Sequence, residues 1–267
     1  AYYKWAKATA SNTQLKREQI VKQIHRIHHQ ERLDDYGSPR MHRTLLQQGI
    51  QCSENTVAKI MRQQNIKAKS HRKFRCHTTD SNHDLPIAAN RLDQDFIAQS
   101  LNQVWLTDFT YIPTKEGFTY LCTVLDLCSR RIIAWKASRT IDTQCALDAL
   151  DQAFALREPR NGLIVHSDRG SQFASHAYRK RLLEHSALQS MSRKGNCYDN
   201  APMESFFKSF KAEEVYQSDY ATHEEAVRAT TDYIERFYNC KRLHSSLSYK
   251  SPIDYEAELF AKQSLSA

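Results

Sequence analysis

The chain has 267 residues, 40% of them apolar and 10% aromatic, with seven cysteines and a formal charge of +8. That is enough apolar material for one large domain and a small one, which sets aside an intrinsically disordered chain. No run approaches the roughly 18 uncharged apolar residues of a membrane span, no apolar signal segment opens the chain, and the scattered cysteines form no CxxC pair, so a cytoplasmic protein with reduced thiols is expected.

The basic residues are unevenly spread. Residues 1–79 hold sixteen Lys and Arg against five Asp and Glu, and the remainder twenty-two against twenty-five. A polyanion such as nucleic acid is the natural partner of the first part, because neutralised phosphates release counterions; a solvated basic surface would have the same composition. Leu15, Ile20, Val21, Ile24, Ile27 and His28 recur at roughly helical spacing. Tyr36-Gly37-Ser38-Pro39 then breaks the chain, and Pro39 opens a second helix through Met41, Leu45 and Leu46 that stops near Gly49. Ser53 is a good cap for a third helix with Val57, Ile60 and Met61 on one face.

These short helices predict a small all-α region over residues 1–68 containing a helix-turn-helix. Asn55, Lys59 and Arg62 fall at i, i+4 and i+7, share the face opposite the apolar one, and are candidate DNA contacts; the alternative is a charged face that only solvates. His25, His28 and His29, with Cys52 or Cys76, lack a second regularly spaced ligand pair, so no zinc site is expected there. Residues 69–101 read as a linker, basic at its start through Lys69, His71, Arg72, Lys73 and Arg75 and polar after it.

From residue 102 to 267 the pattern changes. Residues 104–112, 118–127 and 131–137 are strand-like, joined through Lys115-Glu116-Gly117 and Cys128-Ser129-Arg130, and predict an antiparallel meander. A helix over 142–156, an apolar strand over 162–166, a helix over 172–185, a short strand near Leu188 and C-terminal helices from Pro202 and Thr222 follow. Strands and helices in this order predict an α/β fold, a mixed sheet flanked by helices, with a strand order that the sequence does not reveal.

Three acids stand out. Asp108 lies in the middle of the first strand, on the face of Leu106 and Thr110, where a charge costs several kcal/mol unless it is paired or binds a metal. Asp168 follows the apolar run Leu163-Ile164-Val165, at the strand end where α/β sheets place their ligand sites. His166 shares a strand face with Asp168, as a partner of it or as a packed histidine. Glu204 sits early in a helix opened by Asn200-Ala201-Pro202; Met203, Phe206, Phe207 and Phe210 form the buried face, and Glu204, Lys208 and Lys211 a separate stripe. Taken alone, Glu204 could simply pair with Lys208 at i+4.

Converging acids would carry a different meaning. Two carboxylates about 4 Å apart repel by roughly 4 kcal/mol at an effective dielectric near 20, so no fold gathers three for stability. A divalent cation offsets that repulsion, and Mg²⁺ accepts a few carboxylate oxygens while keeping water and phosphate oxygens around it. Two such ions would suit an in-line displacement at phosphorus.

Trp105-Leu106-Thr107-Asp108-Phe109-Thr110-Tyr111, His166-Ser167-Asp168-Arg169-Gly170-Ser171-Gln172-Phe173 and Gly195-Asn196-Cys197-Tyr198-Asp199-Asn200-Ala201-Pro202-Met203-Glu204-Ser205-Phe206 closely resemble the bacterial insertion-sequence transposases with a retroviral-integrase-like DDE core. Thirty-five residues separate Asp168 from Glu204, matching that family's spacing, and the ending Tyr238-Asn239-Cys240-Lys241-Arg242-Leu243-His244-Ser245-Ser246-Leu247 through Ser251-Pro252 looks like its C-terminal signature. The likeness is strongest to the larger reading-frame product of the insertion-sequence-three family, in which an upstream frame often supplies a further terminal-repeat-binding domain. It implies a ribonuclease-H-like fold and Mg²⁺ or Mn²⁺, two ions, held by Asp108, Asp168 and Glu204 as catalytic and metal-binding residues. It also implies 3′-end cleavage with strand transfer, a basic residue on substrate DNA at Lys211, and element-end and target DNA gripped by a homo-oligomer. A DNA-binding regulator with an inert body, and a nuclease that only hydrolyses, are the competing readings.

Overall fold

The computed structural model describes residues 11–30, 33–68 and 83–266; the basic stretch from Lys69 to Arg75 and Cys76 lie outside the described residues. The chain divides into two compact units, Ala1–His71 and Arg72–Ala267.

The described residues of the first unit form α1 (Asn12–His28), α2 (Ser38–Gln47) and α3 (Glu54–Gln63). Side-chain oxygens begin two of them: Ser11 Oγ accepts from the Gln14 amide at 3.2 Å, and Ser53 Oγ from the Thr56 amide at 3.2 Å. Pro39 occupies the first turn of α2, where its missing N–H costs no hydrogen bond. After α2 the chain reverses at Gly49, whose φ of 79° suits a residue without Cβ. Ile20, Ile24 and Ile27 of α1, Met41 and Leu45 of α2, and Val57, Ile60 and Met61 of α3 then close one apolar core. This is the expected helix-turn-helix-like arrangement.

The second unit is built on a five-stranded sheet: β1 (Val104–Thr114), β2 (Gly117–Asp126), β3 (Ile132–Ser138), β4 (Ile164–Ser167) and β5 (Leu188–Met191), in the order β3-β2-β1-β4-β5. The first three make the antiparallel meander, while β4 and β5 run parallel to β1. Interleaved are α4 (Thr143–Arg157), α5 (Ser171–Ala174), α6 (His176–Glu184), α7 (Ala201–Glu213), α8 (His223–Thr231) and α9 (Pro252–Ser266). The mixed sheet flanked by helices is the ribonuclease-H-like architecture.

The faces of the sheet have separate cores. Trp105, Phe109, Cys122 and Val124 pack against Ala149, Leu150 and Phe154 of α4 and Tyr178 and Leu182 of α6. The face of the alternate β1 residues receives α7, whose Met203 meets Thr123 of β2. Glu256 of α9, 3% exposed, joins Arg131 at 2.7 Å and Arg157 at 2.6 Å, tying the last helix to the start of β3 and the end of α4.

Two local outcomes differ from the periodicity. The helix expected over 172–185 is broken at Ser175, whose extended backbone (φ −58°, ψ 149°) lets its hydroxyl accept from the Tyr178 amide and start α6 afresh. The helix expected from Thr222 passes into a π-helical stretch over Asp232–Tyr238, so its apolar residues depart from simple helical spacing. Residues 83–101, inside the stretch read as linker, are bonded into the body: the Arg91 amide donates to Ser190 Oγ at 2.9 Å, and Ala88 packs on the core. No described helix is long and apolar enough to cross a membrane.

Candidate active site

Register brings two of the acids together. β1 and β4 are parallel neighbours, with Val104 paired to Ile164, Trp105 to Val165 and Leu106 to His166. Two residues further, the same register sets Asp108 beside Asp168, the first residue past β4. On its other side Asp108 faces Thr123 across the β1–β2 ladder, and Thr123 Oγ1 donates to Met203 Sδ at 3.3 Å. Met203 immediately precedes Glu204, so the first turn of α7 lies over the strand position of Asp108. Met203, Phe206, Phe207 and Phe210 are buried, as the helical wheel requires, while Glu204 and Lys208 are exposed.

Each aspartate is held by the backbone. The Phe109 amide donates to Asp108 Oδ1 at 2.7 Å, and the Gly170 amide to Asp168 Oδ1 at 2.8 Å. Gly170 is needed there for a steric reason. A Cβ at that position would stand 2.9 Å from Gln172 Oε1 and 3.0 Å from Asp168 Oδ1, closer than ordinary contact allows.

The electrostatics report the convergence. Burial, then the charge of Asp168, then that of Glu204 push the Asp108 carboxyl well above the usual carboxylate range, against the Phe109 amide and the Lys211 ammonium. Burial alone raises Glu204. Lys211 Nζ sits over the Tyr111 ring, 3.9 Å from the centroid. Glu204 forms no ion pair with Lys208 among the described residues, which removes the simplest structural reason for a carboxylate here.

The donor set suits a hard divalent cation in kind, three carboxylates whose mutual charge a cation would offset. Among the described residues, no three His, Cys, Asp or Glu side chains are drawn tightly enough together to hold an ion as they stand.

His166 is buried, with Nδ1 2.8 Å from Ser190 Oγ and Nε2 3.1 Å from Ser192 Oγ; burial lowers its pKa to about 4. Both ring nitrogens are thus occupied by the strand edge and turn of β5, and the imidazole acts as a neutral tie between β4 and β5. In the first unit, Asn55, Lys59 and Arg62 are exposed along α3.

Sequence reasoning overlooked Asp199. Fully buried, it accepts from Arg193 Nη2 (2.7 Å), Arg193 Nε (3.0 Å), the Arg193 amide (2.7 Å), Gln94 Nε2 (2.8 Å) and Asn90 Nδ2 (3.1 Å). The Arg193 side chain above all holds this carboxyl well below its usual range. Asp199 thereby fixes the loop that delivers α7, and its place beside Asn200-Ala201-Pro202 at a helix start was the available signal.

Three family models match in chain order: HTH-like domain over residues 14–74, integrase core domain over 98–197, and a second integrase core domain over 204–260. The chain is 40% identical to the transposase for insertion sequence element IS904 of Lactococcus lactis subsp. lactis, across 92% of this chain and 96% of that protein. It is 43% identical to transposase InsF for insertion sequence IS3A of Escherichia coli K12, across 83% and 76%. Identity to the insertion element IS600 uncharacterized 31 kDa protein of Shigella sonnei is 39%, across 94% and 92%. Among solved structures, the HTLV-2 integrase catalytic core domain in complex with magnesium is similar at a TM-score of 0.46 and 15% identity, covering 60% of this chain and 99% of that one.

Proposed function

Because the chain belongs to the insertion-sequence transposases with an integrase core, we propose that it cleaves the 3′ ends of a DNA element and joins each freed 3′ hydroxyl to a target phosphodiester, with Asp108, Asp168 and Glu204 as the catalytic carboxylates. The supporting observation is the response of Asp108 to the charges of both Asp168 and Glu204, acids 60 and 96 residues away in the chain. No stabilising purpose accounts for that gathering.

Two Mg²⁺ or Mn²⁺ ions, for which Asp108, Asp168 and Glu204 would be the ligands, would supply charge neutralisation at phosphorus and a more acidic attacking hydroxyl. The protein's own part is positional. Backbone amides hold Asp108 within β1 and Asp168 just past the end of β4, the anchored first turn of α7 presents Glu204, and Lys211 orients a substrate phosphate from the same helix. In each step a new oxygen–phosphorus bond forms as the opposite one breaks, the departing oxygen taking up a proton. Asn55, Lys59 and Arg62 of α3, with Lys208, contact DNA, and element ends and target are held by a homo-oligomer acting on chromosomal or plasmid DNA in the bacterial cytoplasm.

The test is an assay of purified chain with labelled element ends and Mg²⁺. Nicked and joined products are expected from the natural sequence and none from Asp108→Asn, which should bind the ends undiminished. Full strand transfer by that variant would refute the assignment, and binding without any product from the natural chain would favour the regulator.

A further inference from the structure

The C-terminal signature Tyr238–Leu247 has no part in the chemistry above. It forms one wall of a cavity of about 330 Å³ whose lining includes Arg130, Arg242, His244, Ser205, Ser246 and Phe96. The cavity runs along α7 on the flank opposite Glu204: Pro202, Ser205 and Ser209 line it, whereas Glu204, Lys208 and Lys211 form the other stripe.

The cations here are not equivalent. Arg242 is neutralised by Glu213, Nη2 to Oε1 at 2.6 Å, and Arg131, next in sequence to Arg130, by Glu256 at 2.7 Å. Arg130 has no carboxylate within ion-pair distance among the described residues; its guanidinium reaches only the Phe96 carbonyl, at 3.5 Å. Asp126, whose charge acts on Arg130, spends its oxygens on the amides of Asn102, Cys128 and Ser129 and on the Ser129 hydroxyl. Burial lowers the Arg130 pKa, the mark of a cation taken from water without full compensation.

A part-buried guanidinium lacking an acid, in a cavity that Ser205, Ser246 and His244 also line, is suited to receive an anion with several oxygens. We infer that Arg130, with Ser205, His244 and Ser246, binds a backbone phosphate of the DNA, so that the strand crosses the exposed crest of α7 between Glu204 and this cavity. DNA as the source of the phosphate rests on the transposase reading; the anion chemistry of the cavity stands without it.

Full-length Arg130→Gln and Arg130→Lys are compared with the natural sequence, using a short duplex of arbitrary sequence and, separately, inorganic phosphate. Anisotropy titrations across salt should show weaker duplex binding by Arg130→Gln and a salt slope smaller by about 1, with the slope largely kept in Arg130→Lys. The melting temperature of the free Gln variant should equal or exceed that of the natural chain, since an uncompensated cation has been removed. A lower melting temperature with an unchanged slope would make Arg130 a structural tie to Phe96 and overturn the inference. If inorganic phosphate raises the melting temperature of the natural chain only, with the duplex slope unchanged in Arg130→Gln, a free-anion site replaces the DNA one. Asp108→Asn in parallel separates the two readings: strand transfer retained there sinks the acid assignment, while a slope change in Arg130→Gln still upholds the phosphate site.

Discussion

Asp108 and Asp199 belong to the same unit, and each is gripped by the backbone, yet their surroundings push them in opposite directions. Asp199 collects five hydrogen bonds, three from Arg193, and is held far down. Asp108 has one amide in hydrogen-bond contact and two acids for neighbours, and is held far up. The first arrangement is what a fold does with a carboxylate meant to fasten a loop; the second leaves an electrostatic debt that a bound cation would settle. Buried acids can thus be sorted by the charge of what surrounds them.

The sharpest way to break that contrast is to neutralise Asp108. Asp108→Asn should cut single-turnover strand transfer by on the order of 10³-fold or more, while the metal-free protein melts no lower than the natural one. A markedly lower melting temperature would class Asp108 with the fasteners. Next in size is Gly170→Ala, whose methyl group must displace Asp168 or Gln172. A loss of about 10 to 100-fold in transfer, with melting nearly unchanged, is expected from so small a misplacement of one carboxylate; undiminished transfer would mean that Asp168 tolerates the shift.

Asp199→Asn probes the other side. It should lower the melting temperature by on the order of 5 °C and reduce transfer less than either change above, through the loosened approach to α7. Because the folded carboxyl is depressed, its contribution is present above the unfolded carboxylate range and disappears as pH falls below about 4. Melting curves from neutral to acid pH should therefore fall more steeply for the natural chain than for Asp199→Asn, and parallel curves would contradict the assignment. The smallest effect is expected in the first unit, where Arg62→Ala should weaken duplex binding and reduce the salt slope by about 1 without altering the melting temperature. No change in slope would return Arg62 to an ordinary solvated surface.

The strands, the acids and the buried face of α7 were readable because each is a local pattern: alternation, an apolar run ending in a charge, four apolar residues on one side of a helix. What joins the acids was not local. That β1 lies between β2 and β4, so that Asp108 and Asp168 adjoin, depends on the chain crossing the sheet after β3, which no periodicity encodes. Family resemblance supplied the triplet where pattern alone offered an i+4 ion pair for Glu204. Asp199 was passed over because its partners lie in two segments, Asn90 to Gln94 and Arg193, the first of which reads as linker; likewise a serine at 175 ends a helix only because its hydroxyl finds an amide.

Glu256 has a bearing on how much of the chain the body needs. It sits eleven residues before Ala267 and is the shared acid of Arg131 and Arg157. A nonsense codon just ahead of it would spare every acid of the triplet and the whole sheet, yet strand two cations against the body of the protein with no counter-charge. Loss of the segment that carries Glu256 should therefore lower the melting temperature even though the sheet and the three acids are untouched.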